Sequence, residues 1–284
     1  MPGAMSEPPQ EPDEPLGPRL PPEAQSALDP FDPGFIPPDP DEPPPVELWS
    51  AVGDIPPWGT ALLVLAWGLV FLALALRREI GDTDALFAWG ASSPGLDVGE
   101  TAWRLLASTF LHAGMAHVFF NTLSMIVFVP AVERVFTRWG FALVYALGGV
   151  VASLASLGWR ASQHAGTSIS VGASGAIFAL GGALLVAAWR VRRRLAVGRA
   201  RAMGATLLFL IGQAFAAGFT RHATDNAAHA AGLVAGALLG ALIPLSPRLG
   251  GPTPGPLMRT LGTIAALALS LSLALAVRGG LARG

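Results

Sequence analysis

Apolar residues gather into seven stretches along this chain, at 58–76, 113–133, 139–159, 171–189, 202–220, 226–245 and 260–277, and polar residues gather between them. Each stretch approaches the ~20 residues that a helix needs to cross the hydrocarbon core of a bilayer. The pattern predicts an all-α polytopic membrane protein with seven spans. The connection 77–112 is different. It mixes charge with Phe87, Trp89 and Trp103, and such a segment is expected to lie partly in the membrane interface. Residues 1–46 show no apolar periodicity. They hold 16 of the 25 prolines, interleaved with Asp and Glu, and cannot bury a core, so a solvated, disordered, partly polyproline tail is expected. A solvated extension is favoured over a partner-binding role for this tail.

Composition sharpens the reading. The 284 residues are 52% hydrophobic and 13% charged, about half the charge of an average soluble domain. There is no cysteine, which excludes disulfides, thiolate nucleophiles and Cys-ligated metals. Every basic residue is Arg, so lysine Schiff bases and Ser–Lys dyads are excluded as well. Residues 1–56 carry 12 of the 19 acidic groups and one basic group, Arg19, which leaves the rest of the chain basic. The loop 190–202 holds six Arg and is assigned to the cytoplasm by the positive-inside rule. Counting spans outward from it, the tail is cytoplasmic and the C-terminus extracytoplasmic. The tail lacks a secretory signal pattern.

Few polar groups occur inside the spans, and each is a functional candidate because burying it in lipid is costly. The second span carries His117 and Asn121, four residues apart and therefore on one helix face. The fourth opens with Gly172-Ala173-Ser174-Gly175, and the sixth with Asp225-Asn226-Ala227-Ala228-His229. In the topology above, spans two, four and six run the same way, so Ser174, His229, His117 and Asn121 share one depth below the outer face. Gly232, Gly236 and Gly240 follow His229 on its own face, and small residues at this spacing allow close helix approach. Span four, with Gly172, Gly175, Gly181 and Gly182, is the expected partner. Close approach would bring His229 within reach of Ser174 as a general base. Asn121, His117 and the Ser174 N–H are candidate donors to an oxyanion. Asp225 reads as a helix cap, so a dyad is expected rather than a triad.

Taken singly, each motif has a plainer reading. GxSG is often a packing motif, an intramembrane His a structural residue or proton relay, and the His117/Asn121 pair interhelical glue. A metal site from His112, His117 and His229 would lack a carboxylate at that depth. His164 and His222 fall in loops and receive no role. The shared depth and shared faces favour the catalytic reading of the set.

At these residues the sequence resembles the rhomboid family of intramembrane serine proteases, over about residues 58–245. Trp103-Arg104 is similar to the family's WR pair, His117–Asn121 to HxxxN, Gly172–Gly175 to GxSG, Ala228–Gly232 to AHxxG, and Glu133-Arg134 to ExR. The resemblance implies a six-helix core at 57–245 behind the tail 1–56, with 246–284 adding a linker and one C-terminal helix (six plus one). It implies Ser174 as nucleophile, His229 as base, and His117 and Asn121 in the oxyanion hole. Phe178 stands where many members carry a Tyr that stacks on the base; His112 corresponds to a structural histidine. The implied activity is cleavage of single-pass transmembrane substrates in the bilayer, near the extracytoplasmic face, without metal or organic cofactor and without nucleic acid. Gln163, Thr167, Ser168 and Ser170 are candidates to line a water route. The Arg bias suits a bacterial plasma membrane. A non-catalytic relative that binds transmembrane clients is the alternative. A transporter or channel ranks third, because the inner half of the spans is nearly devoid of polar groups.

Overall fold

Trp58–Leu76 (α1) is helical, as the first apolar stretch predicts. Its buried stripe is Leu63, Trp67, Val70, Phe71 and Leu74, whereas Leu62, Leu65, Leu69 and Leu72 are more than half exposed. An all-apolar helix with leucines facing outward is stable only where lipid covers that face. The computed structural model describes residues 57–95, 98–163, 168–192, 204–206, 208–209, 211–212 and 225–283. The tail 1–56, His164, Thr167 and His222 lie outside the described residues. So do most of the Arg-rich loop and most of the expected span 202–220. The described helices belong to one compact unit, Pro45–Gly284.

Three short helices occupy the connection after α1: α2 (Thr83–Ala88), α3 (Val98–Thr101) and α4 (Arg104–Ala107). Asp82 caps α2 by accepting the Ala85 N–H at 2.7 Å, and that bond holds its carboxyl below the usual carboxylate range. Arg104 pins the connection together. Its guanidinium donates to the carbonyls of Phe87 (2.5 Å) and Ala91 (3.1 Å) and lies over the rings of Phe87 and Trp103, 4.3 and 4.7 Å from their centroids.

The second expected span, 113–133, is not one helix. α5 (Met115–Val127) stops at Phe128, and α6 (Val129–Ser162) starts afresh with Pro130 in its first turn. Proline lacks the N–H that would continue the ladder and disfavours helical geometry in the residue before it. Window hydropathy misses this break because Phe, Val and Pro-flanking Ala all read as apolar. The segment Arg104–Phe110 also meets α5 at a bend of 94°. α6 turns again at Thr137 (φ 62°, ψ 166°), a costly conformation for a β-branched residue. The expected span 139–159 is the long limb beyond that turn.

α7 (Ser174–Arg190) is buried almost continuously from Gly175 to Leu184 and forms the centre of the bundle. α8 (Asn226–Leu242) lies on one side of it and α6 on another. α9 (Pro256–Leu281) is the expected seventh apolar stretch as a 26-residue helix. α9 packs closely at both ends: a Cβ at Gly262 would sit 2.7 Å from the Trp139 backbone, and one at Gly280 would overlap the Trp89 ring. α1, α6 and α9 are each long and apolar enough to cross a membrane. α7 and α8, at 17 residues, extend about 26 Å. The chain is an all-helical, multi-span membrane protein.

Glu133, which the sequence singled out only by resemblance, caps α1 from across the bundle. Its carboxylate accepts the Gly59 N–H (2.9 Å), the Thr60 N–H (3.1 Å) and the Thr60 hydroxyl (3.2 Å). Loss of these bonds strands helix-terminal donors. Glu133→Ala is therefore expected to cost about 1–2 kcal/mol, read as a lower melting temperature in mild detergent. An unchanged melt would show that the cap is dispensable.

Candidate active site

α7 and α8 run parallel and in step. A Cβ added at Gly232 would strike the Gly175 carbonyl, one at Gly236 the Ala179 carbonyl, and one at Gly240 would sit 2.7 Å from the Ala183 Cα. The four-residue repeat thus brings the two backbones together along two full turns, as its small-residue spacing predicts. On the other side of α7, Gly148 and Gly149 of α6 face Ala179 and Ala176. A helix held this tightly presents its first residue at a defined place.

That first residue is Ser174. Its Oγ lies 2.9 Å from the Nε2 of His229, in the first turn of α8. His229 is 3% exposed. The Phe178 ring, one turn into α7, stacks on the imidazole with centroids 4.2 Å apart and planes 5° from parallel. The ring is thus clamped between a hydroxyl at its edge and an aromatic on its face. Phe178→Ala is expected to slow the labelling of Ser174 by a fluorophosphonate about tenfold, the size of a lost aromatic pair. Phe178→Tyr, which keeps the ring, should label close to the parent rate, and equal rates for both variants would refute a positioning role.

Gly172 does not pack α7 on α8 as its place in the glycine series suggests. It precedes the helix with φ +124°, and a Cβ there would meet the His117 ring at 2.6 Å. Glycine is required twice over, by backbone and by space. Gly181 faces Phe128 rather than α8, whereas Gly182 does face Leu233 of α8. The Gly172 contact brings His117 and Asn121 to the turn that carries Ser174, with the Asn121 Nδ2 3.9 Å from the same Cβ position. Asn121 is 6% exposed, and its Nδ2 finds no hydrogen-bond partner among the described residues. A buried unpaired donor is costly to keep. The Ser174 N–H lies in the same turn, where helix donors lack intrahelical acceptors. His117 stacks edge-on against His112 (5.1 Å), which stacks edge-on against Trp67 (5.4 Å). The two histidines therefore form part of an aromatic column, and among the described residues no group of three His, Cys, Asp or Glu could hold a metal.

A polar cavity adjoins Ser174, lined in part by Ser108, Thr109, Ser153, Ser170 and Asp225. Ser170, a candidate for the water route, is there; Gln163 and Ser168 are described but do not line this cavity. One feature of this region was not legible in the sequence beyond its cap. Asp225 caps α8 by accepting the Ala228 N–H (3.0 Å), and its other oxygen accepts from the Ser156 hydroxyl and from Arg160 (3.2 and 3.3 Å). The Ser156 hydroxyl in turn meets that of Ser170 at 2.9 Å.

Comparison with known proteins places these motifs in a larger set. A Rhomboid domain model matches residues 99–245. Rhomboid protease GluP of Bacillus subtilis (strain 168) is 34% identical over 180 residues, 63% of this chain and 34% of the relative. RHOMBOID-like protein 1 of Arabidopsis thaliana is 36% identical over 151 residues, 52% of this chain and 36% of the relative. RHOMBOID-like protein 5 of the same plant is 32% identical over 155 residues, 54% of this chain and 47% of the relative. The chain thus spans less than half the length of these relatives.

Proposed function

The chain belongs to the rhomboid family, and from that premise we propose that it is an intramembrane serine endopeptidase that cleaves transmembrane-helix substrates near the extracytoplasmic face. The observation that carries the proposal is the 2.9 Å contact between Ser174 Oγ and His229 Nε2. In the proposed reaction His229 takes the Ser174 proton as Oγ attacks the scissile carbonyl. The oxyanion is received by the Ser174 N–H, the Asn121 amide and His117. As the tetrahedral adduct collapses, His229 returns the proton to the leaving amine. Water, activated by the same imidazole, then hydrolyses the acyl-enzyme. The Asn121 Nδ2, without a hydrogen-bond partner among the described residues, supports its role, since the developing charge would supply an acceptor.

A helical substrate shields its own carbonyls, so residues that loosen a helix, such as Gly or Pro, are expected around the cut. The protein is proposed to act as a six-helix core at 57–245, with the linker and C-terminal helix at 246–284 added in a six-plus-one arrangement. The tail 1–56 is assigned to the cytoplasm and the site to the opposite side of a bacterial plasma membrane. No metal or organic cofactor enters the scheme. The test is direct: the purified chain in mild detergent or lipid should be labelled by a fluorophosphonate and should cleave a reporter transmembrane substrate. A folded chain that does neither would overturn the proposal and favour client binding.

A further inference from the structure

We propose that Asp225, held by Arg160 and Ser156, is a positioning residue that registers the base His229 against the nucleophile Ser174. The inference rests on the serine-peptidase reading of the site and deepens it. Asp225 stands one helical turn before His229, and the His229 N–H donates to the Asp225 carbonyl at 3.1 Å. The carboxylate of the same residue closes the first turn by accepting the Ala228 N–H. The geometry of the turn that carries the imidazole therefore depends on where Asp225 is held.

It is held from α6. The Arg160 Nε and terminal nitrogen donate to one carboxylate oxygen at 3.3 and 3.2 Å, and the Ser156 hydroxyl donates to the same oxygen. Both groups are mostly shielded, with side-chain exposures of 25% for Arg160 and 14% for Asp225, so the pair is screened less than one at an open surface.

The network also reaches the nucleophile. Ser156 meets the Ser170 hydroxyl at 2.9 Å, and Ser170 lies four residues before Ser174. The Ser170 backbone pairs with Ser92 through two hydrogen bonds (2.7 and 3.2 Å), so the loop is held from both sides. The Gly172 N–H adds a bond to the Ser108 carbonyl at 2.9 Å. The strand-like turn that delivers Ser174 and the helix that delivers His229 are thus tied to one side-chain cluster on α6. Positioning of this kind acts on the reacting geometry more than on substrate affinity.

The test uses the full chain, with fluorophosphonate labelling rate, kcat and KM on a reporter transmembrane substrate, and melting temperature. Asp225→Ala removes cap and ion pair together and is expected to lower the labelling rate and kcat about tenfold with KM unchanged. Asp225→Asn keeps a capping oxygen and should recover much of the loss. Arg160→Ala leaves the cap in place and should lower both rates by a smaller factor. In the double variant Asp225→Ala/Arg160→Ala the losses should not multiply, because both act through one contact. Parent-like labelling and kcat in folded Asp225→Ala and Arg160→Ala would overturn the proposal. So would losses that only track the folded fraction. If Asp225→Ala does not fold, Arg160→Ala decides by the same criterion. A parent that fails to label would instead overturn the serine-peptidase reading, and this inference with it.

Discussion

A Ser174→Ala chain is expected to fold, to show no fluorophosphonate labelling, and to lose cleavage of a transmembrane substrate by about a millionfold, the scale seen when a serine nucleophile is removed. The size follows from chemistry with no substitute: without Oγ no acyl-enzyme forms, and no cysteine or lysine exists in the chain to replace it. The fold should tolerate the change. Ser174 is the first helical residue, Ala is a good helix former, and the lost contact to His229 is a single hydrogen bond worth about 1 kcal/mol. His229→Ala should abolish labelling equally, since the serine then lacks its base. Residual cleavage by Ser174→Ala at more than a small fraction of the parent rate would end the proposal, because the geometry offers no second route through this site.

Gly236→Ala is expected to produce the largest loss of stability. The single added carbon would overlap the Ala179 backbone from its Cα to its carbonyl oxygen. Neither helix can yield locally, since Gly232 and Gly240 hold the same two backbones together one turn away on either side. α7 is further pressed from behind by Gly148 and Gly149 of α6. The helices must separate, with a cost of about 3 kcal/mol or more. The separation would also draw His229 away from Ser174, so labelling should fall together with the melting temperature. Gly158 on α6 is the control, because a Cβ there meets nothing within 4 Å. Gly158→Ala should be neutral or stabilising by up to about 1 kcal/mol. Equal melts for the two variants would refute close packing of α7 on α8.

Much of the site was legible because its residues obey rules that act along the chain. Ser174 and His229 each lie near the start of an apolar stretch, and Gly232, Gly236 and Gly240 repeat on the His229 face, so helical periodicity together with the shared direction of the spans aligns them. The stacking of Phe178 on His229 was implied only by the family resemblance, through its place one turn after Ser174. Gly172 was misread as a packing glycine because its neighbours in sequence are such glycines. Its actual demand, a positive φ beside the His117 ring, arises from a side chain some fifty residues earlier. Likewise Asp225 was legible as a cap, a local signal, but its pairing with Arg160 and Ser156 was not.

The sequence by itself determined the membrane class, the starts of α1 and α8, and the face of α8 that approaches α7. Each follows from composition and from a period of 3.6 residues, which need no knowledge of distant neighbours. Only the tertiary structure decided where 113–133 breaks, how α6 turns at Thr137, and which groups hold the first turn of α8. Hydropathy averages over a window and cannot sense a backbone dihedral, and contacts between α6 and α8 depend on how three helices pack around α7.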